Sequence, residues 1–573
     1  MKWTISPLAT EGFFRKFSKY PSPILQILWN RGVRTQEEIE DFFCPKYEKM
    51  HNPFLMKGVD KLVSEVKSLL KNKKKIGIFT DFDVDGITGA AIFIETLVNL
   101  GFPKKLIFLF IPDREKEGYG INENGINFLH AQDCKIFISI DCGISNFKEI
   151  EIIRKLGMKP IIIDHHQVPK KLPRAEIIIN PLQRGDKYPF KNLAAGGISF
   201  KIAQALIKEI KKPKLSHNSV NKDEWSFLGL ACLATIADCC PLLGENRILV
   251  KYGLASLQKT RRVGINEIIN LCRIEKSSLD SFDVSHKISP LLNSASRMDH
   301  ATTAYNLVTT DSIFEAAFLA KKLVAKNRQR QESSRKVFSA LDARVAKYEI
   351  LPNIIIESDP DWPLTLAGPV ASKILEKYSR PVIVFNKGYK KSQSSSRAVP
   401  GFNMVEALGK CSKYIEKFGG HPMAAGCTVD NKNFSNFKTC MNQVAKDLLK
   451  KDDLIPVLEV ETELKPEDLN IKLVEEIKKF SPFGMKNQKP KFLIKGLSVE
   501  EARMVGKEKK TLRFLFGLKN SKRIVKGIWQ SQSGNNYNFR SGDVVDTVFE
   551  IEIDEWNGYK ELVLKINDLK LHK

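Results

Sequence analysis

The hydrophobic positions in the first 250 residues follow two alternating periodicities. Amphipathic segments of helical period, among them Val59–Lys71, Ile87–Leu100 and Phe147–Leu156, separate short apolar runs rich in β-branched residues. These runs have the length of buried strands: Ile76–Thr80, Leu106–Ile111, Ile136–Ile140, Pro160–Ile163 and Glu176–Ile179. Strands of this kind alternating with helices are typical of a parallel sheet covered on both faces. The pattern predicts an α/β domain over residues 51–245.

Before this domain, residues 1–50 predict an N-terminal arm with short helices. After it, residues 246–348 predict a helical region that ends in one long helix over 312–348. Apolar residues mark both ends of that helix, but its middle, 327–336, contains none. A helix that is polar all round is typical of a connector that crosses solvent between two domains. A disordered linker is the alternative, although 327–336 contains neither Gly nor Pro.

The C-terminal 225 residues predict two further units. Residues 349–452 read as a second α/β unit, with strands at Asn353–Glu357 and Pro381–Asn386 and a Gly-rich turn at 419–421. Residues 453–573 contain six short β-type runs, which predict a small barrel or sandwich. Those runs are Pro456–Val460, Lys491–Leu497, Leu512–Leu518, Lys522–Ile528, Val544–Ile553 and Glu561–Ile566.

Acidic residues follow the strands of the first domain at the points where those strands end. The carboxyl ends of parallel strands meet at one edge of a sheet, where ligands of open α/β sheets bind. Six Asp and two His are expected to converge there: Asp81, Asp83, Asp85, Asp141, Asp164, His165, His166 and Asp238. So many carboxylates in one crevice require a cation to offset their repulsion. The sequence therefore predicts a metal site.

The donor set also indicates which metal is bound. Carboxylate oxygens with one or two imidazoles suit Mn²⁺ or Mg²⁺, and more than four ligands allow two ions, roughly 3.5–4 Å apart, for displacement at phosphorus. A single Asp after a strand is more often a helix cap or turn residue. The stretch Asp81–Gly86 also resembles the start of an EF-hand loop, but Ile92 stands where that loop needs a bidentate Glu.

Charge and cysteine content narrow the class of protein. The 573 residues carry a formal net charge of +25 with a pI of about 9.4, which favours a polyanionic partner, either nucleic acid or an anionic membrane surface. The longest apolar stretch, Trp225–Ala237, is too short to span a bilayer, and the first twenty residues lack the apolar core of a secretory signal. Ten cysteines without a C-x-x-C spacing predict reduced thiols in the cytoplasm and no zinc site. No P-loop sequence is present.

An ordered set of motifs resembles the DHH phosphoesterase family, and within it the exonucleases specific for single-stranded DNA. The motifs are Asn30–Val33, Thr80–Gly86, Lys116–Gly120, Asp141–Gly143, Asp164–His166, Ala237–Asp238, Leu292–Met298 and Gly419–Gly426. The resemblance implies a parallel-sheet DHH domain, a long connecting helix, a DHH-associated domain and a C-terminal OB-fold barrel. It further implies hydrolysis of single-stranded DNA from the 5′ end to mononucleotides, in DNA repair and recombination.

The resemblance also implies roles for single residues. Five would be metal ligands: Asp83, Asp85, Asp141, His165 and Asp238. Asp81 would support them or join a second ion, and His166 would face the scissile phosphate as acid or electrostatic stabiliser. The chain departs from the family at Phe79, where many relatives have His, which leaves the second metal position open. It also departs at Ser294, Ser296 and the Cys239–Cys240 pair.

Several residues are candidates for contacts with the DNA strand. In the first and second domains they are Arg114, Tyr119, Arg297, Ser396, Arg397, Gly419, Gly420 and His421. Residues 501–540 hold ten Lys or Arg against two acids, which suits a single-strand groove, with Lys509, Lys510 and Arg513 as its candidates. Phe514, Phe516, Trp529 and Tyr537 are interleaved as possible stacking platforms, although barrel core is the favoured interpretation for the two Phe.

Two other functions compete with the exonuclease. One is a DHH phosphodiesterase acting on short RNA or cyclic dinucleotides; such enzymes are typically shorter than this chain. The other is a non-catalytic DNA-binding scaffold, which predicts broken ligand motifs, whereas all five ligand positions are intact here. The partners implied by the exonuclease are single-stranded DNA, a single-strand-binding protein and a RecQ-type helicase, with no membrane.

Overall fold

The structure is a computed structural model that describes residues 1–211, 222–506, 511–518, 523–530, 539–556 and 559–572. Its N-terminal arm contains one strand and three helices: β1 (Lys2–Ile5), α1 (Glu11–Lys16), α2 (Ser22–Asn30) and α3 (Gln36–Phe43). Thr35 starts α3 with a capping box that Glu38 completes. The apolar faces of the arm belong to the same core as the C-terminal barrel, so the two ends of the chain pack together.

The first α/β domain has the predicted parallel sheet. Its elements are α4 (Val59–Asn72), β2 (Ile76–Thr80), α5 (Val84–Asn99), β3 (Ile107–Phe110), α6 (Glu123–Ala131), β4 (Ile136–Ile140), α7 (Phe147–Lys155), β5 (Lys159–Ile163), β6 (Ile177–Ile179), α8 (Ala195–Leu206) and α9 (Lys222–Ala237). The strand order is β3-β2-β4-β5-β6, with every pair parallel. Every residue of β2 and β4 is buried, as expected of strands covered on both faces.

The helical region contains α10 (Gly244–Gln258), α11 (Val263–Leu271), α12 (Ser281–Asp283), α13 (Ser289–Met298), α14 (Thr302–Thr309) and α15 (Ile313–Val345). The last of these is one unbroken helix of 33 residues, about 50 Å long at 1.5 Å per residue. Its first turns pack into the core of the first domain and its last turns into the core of the second. The predicted connecting helix is therefore confirmed, and the disordered linker is not.

The second α/β domain follows with a mixed five-stranded sheet. Its elements are β7 (Ile355–Asp359), α16 (Leu364–Tyr378), β8 (Val382–Lys387), β9 (Lys391–Arg397), α17 (Met404–Lys410), β10 (Lys417–His421), β11 (Ala424–Asp430) and α18 (Phe434–Leu448). The strand order is β10-β11-β9-β8-β7. The Gly-rich turn predicted at 419–421 is wrong, because these residues lie in β10 and the chain reverses at Pro422 and Met423. Gly420 is required there, since a Cβ would lie 2.5 Å from the carbonyl oxygen of Ala424.

The cysteines depart from the expectation that all are reduced. Cys411 and Cys440 form a disulfide that links the end of α17 to α18, with their Cα atoms 6.0 Å apart. Helix packing brings the two thiols together although 29 residues separate them, and no sequence spacing announces the pair. The other eight cysteines are free thiols, including the adjacent Cys239 and Cys240.

The C-terminal domain is a closed five-stranded barrel. Its elements are β12 (Val457–Val460), β13 (Thr462–Glu463), α19 (Ile471–Lys478), β14 (Phe492–Val505), β15 (Thr511–Gly517), β16 (Ile524–Gln530), β17 (Val544–Trp556) and β18 (Tyr559–Leu571). The order β14-β15-β16-β18-β17 closes because β17 also pairs with β14. The predicted strand at 456–460 lies outside the barrel, where β12 pairs in parallel with β1 of the arm.

Candidate metal centre

The turn between β2 and α5 carries three of the acidic side chains. Asp83 caps α5 by accepting hydrogen bonds from the backbone N–H groups of Asp85 and Gly86. The turn is tight, since a Cβ on Gly86 would lie 2.6 Å from the carbonyl oxygen of Asp81. Asp85 is fixed from a different element, because the N–H groups of Ala195 and Gly196 at the start of α8 donate to it at 2.8 and 2.7 Å.

Three other elements deliver the remaining members of the centre. Asp141 follows β4 in the left-handed conformation, with φ +64°, and its backbone N–H donates to the carbonyl of Ile163. Asp164 and the two His follow β5 at the same edge of the sheet. Asp238 follows the C-terminal end of α9. The predicted convergence at the carboxyl ends of the strands is thus present.

Interatomic distances bring these side chains into one cluster around His165. Its Nε2 atom lies 3.2 Å from Asp141 Oδ1 and 3.6 Å from Asp85 Oδ2, and its Nδ1 atom lies 3.8 Å from Asp238 Oδ2. Three groups of side chains offer ligand atoms within 4.8 Å of one another. They are Asp141–His165–His166, Asp85–His165–Asp238 and Asp81–Asp83–Asp141.

The electrostatics of the cluster favour a bound cation. Burial, followed by the charges of neighbouring carboxylates, raises the pKa of Asp81, Asp85 and Asp141 well above the usual range. One carboxylate oxygen of Asp81 and one of Asp141 are buried without a hydrogen-bond partner among the described residues. Orphaned carboxylate oxygens of this kind are ligand positions for a hard divalent ion. The residues therefore fit Mn²⁺ or Mg²⁺.

Asp164 has a different role from the other carboxylates. It accepts hydrogen bonds from the backbone N–H groups of Ile144 and His165, and its Oδ1 lies 2.8 Å from Nδ1 of His166. Burial alone would raise the pKa of Asp164, but the hydrogen bond and charge of His166, with the backbone donors, lower it. Asp164 is thus an ionised carboxylate that orients His166, as the carboxylate partners of functional His residues do.

His166 is held in position by three neighbours and lies beside the cluster. Burial lowers its pKa, but the hydrogen bond with Asp164 and the surrounding carboxylate charges raise the pKa of His166 to about 9. The phenol of Tyr119 lies 3.1 Å from His166 Nδ1 and donates to the carbonyl of Asp141. The amide of Asn180 donates to the carbonyl of His166 at 2.9 Å. Asn180 was not among the residues predicted from sequence. Its position directly after β6, at the same edge of the sheet as the carboxylates, could have indicated it.

Phe79 does not reach the metal cluster. Its ring is fully buried on the far face of β2 and stacks against Phe110 and Phe137, at centroid distances of 5.6 and 6.1 Å. Gly125 of α6 packs so closely on this ring that a Cβ there would lie 2.5 Å from it. Phe79 is therefore a core residue under α6, and none of the ligand groups includes it.

Four arginines lie near one another and near Asp83, where the two α/β domains meet: Arg114, Arg297, Arg330 and Arg397. Burial, then the charges of the other three arginines, lower the pKa of Arg297 to about 9. Burial lowers the pKa of Arg114, whereas the negative charges of Asp81 and Asp83 raise it. This side chain is therefore close to both the carboxylates and the other arginines. Half-buried cations held this close to one another are typical of a site for an anion.

The second domain supplies one of these arginines and an exposed strand. Nη1 of Arg397 donates to the carbonyl of Ser396 at 2.7 Å and contacts the hydroxyl of Ser395 at 3.4 Å. Ser396 itself is a correction to the sequence prediction, because it is buried and its hydroxyl donates to the carbonyl of Ala425. Its neighbour Ser395 faces the arginine instead, since side chains alternate along β9. Every residue of β10, which contains Gly419, Gly420 and His421, is exposed.

The barrel gives a mixed result. Phe514, Phe516 and Trp529 are buried in its core, so these three side chains are not stacking platforms. Arg513 is half-buried in β15, with its Nε atom unpartnered among the described residues. Lys526 forms an ion pair with Asp554 at 3.3 Å. Lys509, Lys510 and Tyr537 lie outside the described residues.

Comparison with known proteins agrees with this architecture in all three domains. Residues 75–234 match the DHH family, N-terminal domain; residues 351–447 match the DHHA1 domain; and residues 460–568 match the RecJ OB domain. The chain is 32% identical over 547 residues to the single-stranded-DNA-specific exonuclease RecJ of Bacillus subtilis, covering 95% of this chain and 67% of that relative. The chain belongs to the RecJ family.

Further RecJ relatives and solved structures support the membership. The RecJ exonuclease of Thermus thermophilus is 31% identical over 482 residues, covering 83% of this chain and 66% of the relative. A crystal structure of RecJ in complex with Mn²⁺ from Thermus thermophilus superposes with a TM-score of 0.84 at 25% identity, over 100% of this chain and 80% of that one. None of the helices in the described part of this RecJ-family chain has the length and apolar character needed to cross a bilayer.

Proposed function

We propose that this chain is a metal-dependent exonuclease that hydrolyses single-stranded DNA from its 5′ end to mononucleotides, in DNA repair and recombination. The observation that carries the proposal is the convergence of buried carboxylates and two His on one edge of the sheet, with ligand atoms within 4.8 Å of one another and an unpartnered oxygen on both Asp81 and Asp141 among the described residues. The RecJ relatives named as single-stranded-DNA-specific exonucleases support the substrate. The 5′ polarity rests on the family resemblance.

The metal would be Mn²⁺ or Mg²⁺, in two positions, held by Asp83, Asp85, Asp141, His165 and Asp238. When bound, such ions polarise the phosphoryl oxygens and activate water as the nucleophile. The crystal structure of RecJ with Mn²⁺ supports this choice of metal. Asp81 lies in one ligand group with Asp83 and Asp141, so it would support these ligands or join the second ion.

His166 would act on the leaving oxygen of the scissile phosphodiester. With a pKa of about 9 it is protonated at neutral pH, so it can stabilise negative charge or donate a proton there. Asp164 fixes the ring from one side and Tyr119 contacts it from another. These contacts restrict the imidazole to one orientation, which is what positioned proton transfer requires.

The DNA strand would occupy the cleft between the two α/β domains. Arg114, Arg297 and Arg397 would bind its phosphates, because several half-buried guanidinium groups at one place are best satisfied by an anion with several acceptor oxygens. Gly419 and Gly420 lie on the exposed β-strand β10, where the absence of side chains allows the DNA to approach the backbone N–H groups closely. Charged residues of the barrel, including Arg513 and the predicted Lys509 and Lys510, would guide the strand toward the cleft.

A single-strand-binding protein and a RecQ-type helicase stay predicted partners. The cytoplasmic location stays a prediction, to which the Cys411–Cys440 disulfide is a counter-observation. The domain boundaries at 50, 245, 348 and 452 also stay predictions.

The proposal is tested with oligodeoxynucleotides labelled at either end and incubated with the protein and Mn²⁺, next to a duplex and a short oligoribonucleotide. We expect labelled mononucleotide to appear first from the 5′-labelled single strand, with neither duplex nor oligoribonucleotide cut at a comparable rate. Release from the 3′ label first would overturn the polarity. Hydrolysis confined to the oligoribonucleotide would favour the phosphodiesterase, and DNA binding without hydrolysis under any divalent metal would favour the scaffold.

A further inference from the structure

A cavity of about 710 Å³ lies between the first α/β domain and the helical region, away from the carboxylates. The C-terminal half of α5, including Glu95 and Asn99, forms one wall, and the start of α9, including Trp225, forms another. These two helices carry metal-centre residues at their opposite ends. At 1.5 Å per residue the cavity is therefore roughly 15–20 Å from the centre along the helix axes. It is a separate site with a volume suited to a small organic ligand.

The lining of this cavity is rich in cations without counter-charges. Lys104, Lys259 and Arg261 line it and form no ion pair among the described residues. Arg262 directs both terminal nitrogens to Glu95, at 2.8 and 2.6 Å, and leaves its buried Nε–H without a hydrogen-bond partner in the described part of the chain. Two acidic residues, Glu95 and Asp311, line the cavity together with four basic ones. The cavity is therefore suited to an anion.

Two aromatic side chains also line the cavity, which suits it to an organic ligand. Trp225 and Tyr305 are both half-buried in its wall. The indole N–H of Trp225 and the phenol O–H of Tyr305 donate no hydrogen bond to any described residue. Next to them lie the hydroxyls of Ser226 and Thr260. Flat rings with free polar tips, beside hydroxyls and unpaired cations, are complementary to a base or sugar joined to a phosphate.

We propose that this cavity binds a nucleoside phosphate, at a site distinct from the metal centre. The phosphate would contact Lys259 and Arg261, with the Nε–H of Arg262 as a further donor, and the base would lie against Trp225. Inorganic phosphate would satisfy only the cations, so it would bind more weakly than the nucleotide. The site does not depend on the proposed exonuclease activity, because no residue of the metal centre or of the arginine cluster lines it.

The test is calorimetric titration of the full-length protein in EDTA with 2′-deoxyadenosine 5′-monophosphate and, separately, with inorganic phosphate. All titrations use the Arg397→Gln background, because the arginines of the DNA cleft would also bind a phosphate, and we expect one saturable site for the nucleotide there. The double variant K259E/R261E should weaken nucleotide binding at least tenfold. K148E/K155E, two exposed lysines of α7, serves as the charge-matched control and should bind normally.

A second variant separates the ring contact from the charge contact. Trp225→Leu should weaken binding of the nucleotide and leave binding of inorganic phosphate unchanged. Three results would overturn the proposal: no saturable binding of the nucleotide, nucleotide binding that survives K259E/R261E, or inorganic phosphate that binds as tightly as the nucleotide. Thermal melting of each variant establishes that a loss of binding is not a loss of fold.

Discussion

Replacing Asp141 by Asn isolates the contribution of one carboxylate to the centre. Asp141 belongs to two of the three ligand groups, so its charge serves both candidate metal positions. Its φ of +64° matters for the choice of substitution. Asn tolerates the left-handed conformation as Asp does, whereas Ala would add about 1–2 kcal/mol of backbone strain. Asp141→Asn therefore removes charge with little change in shape.

We expect this variant to lose turnover without losing stability or DNA affinity. Losing an anionic ligand from both positions should reduce kcat by about 10³-fold or more, which corresponds to about 4 kcal/mol of transition-state stabilisation. Metal-free Asp141→Asn should melt at or above the wild-type temperature, because the substitution removes a carboxyl whose ionisation burial and Asp85 oppose. Hydrolysis of a labelled single strand at saturating Mn²⁺, DNA binding in EDTA and thermal melting measure the three effects. Turnover within tenfold of wild type would refute the reasoning.

Three further outcomes follow from the same contacts. Arg397→Gln should weaken single-strand binding about tenfold and lower the magnitude of the slope of log affinity against log salt concentration by about 0.7. The control Lys155→Gln, at an exposed position, should change neither quantity. Equal salt slopes for Arg397→Gln and the wild-type protein would contradict a phosphate contact. Mn²⁺ binding should release protons and become tighter as pH rises, because the raised pKa values of the buried carboxyls leave protons on them that the metal must displace. Calorimetry in buffers of different ionisation enthalpy measures the number of protons released. A metal affinity that does not change with pH would contradict this prediction. Arg247→Met should destabilise the protein by about 2 kcal/mol, because it leaves the carbonyl of Phe42 without a donor and removes one of the two donors, Arg247 and Asn487, to the carbonyl of Phe480. An unchanged midpoint of denaturation would show that these bonds contribute nothing net.

The sheet and its acidic edge were predictable from sequence because their signals are local. A buried parallel strand needs a continuous apolar run, and the residue after it must lie at the edge of the sheet, so Asp81, Asp141 and Asp164 could be assigned to one crevice. The different roles of these carboxylates were not predictable from sequence. Asp164 orients His166, while Asp141 carries an orphaned oxygen, and only the positions of the neighbouring backbone donors separate the two roles.

The second domain and the barrel were harder to predict because their decisive contacts are distant in sequence. The Ser-rich run at 392–396 has no apolar pattern, yet it forms the strand β9, with alternate serines buried against Ala425 and Cys427. The Cys411–Cys440 disulfide depends on how α17 and α18 pack. Strand β12 pairs with β1, 455 residues earlier in the chain, so its strand character was predictable and its partner was not.

Anomalous diffraction from crystals grown with Mn²⁺ tests the central claim most directly. We expect manganese among Asp83, Asp85, Asp141, His165 and Asp238, with a second ion roughly 3.5–4 Å from the first. We also expect the signal to disappear in a variant that neutralises Asp141. Crystals of protein that hydrolyses DNA with Mn²⁺, but with manganese bound elsewhere and this centre empty, would contradict the account.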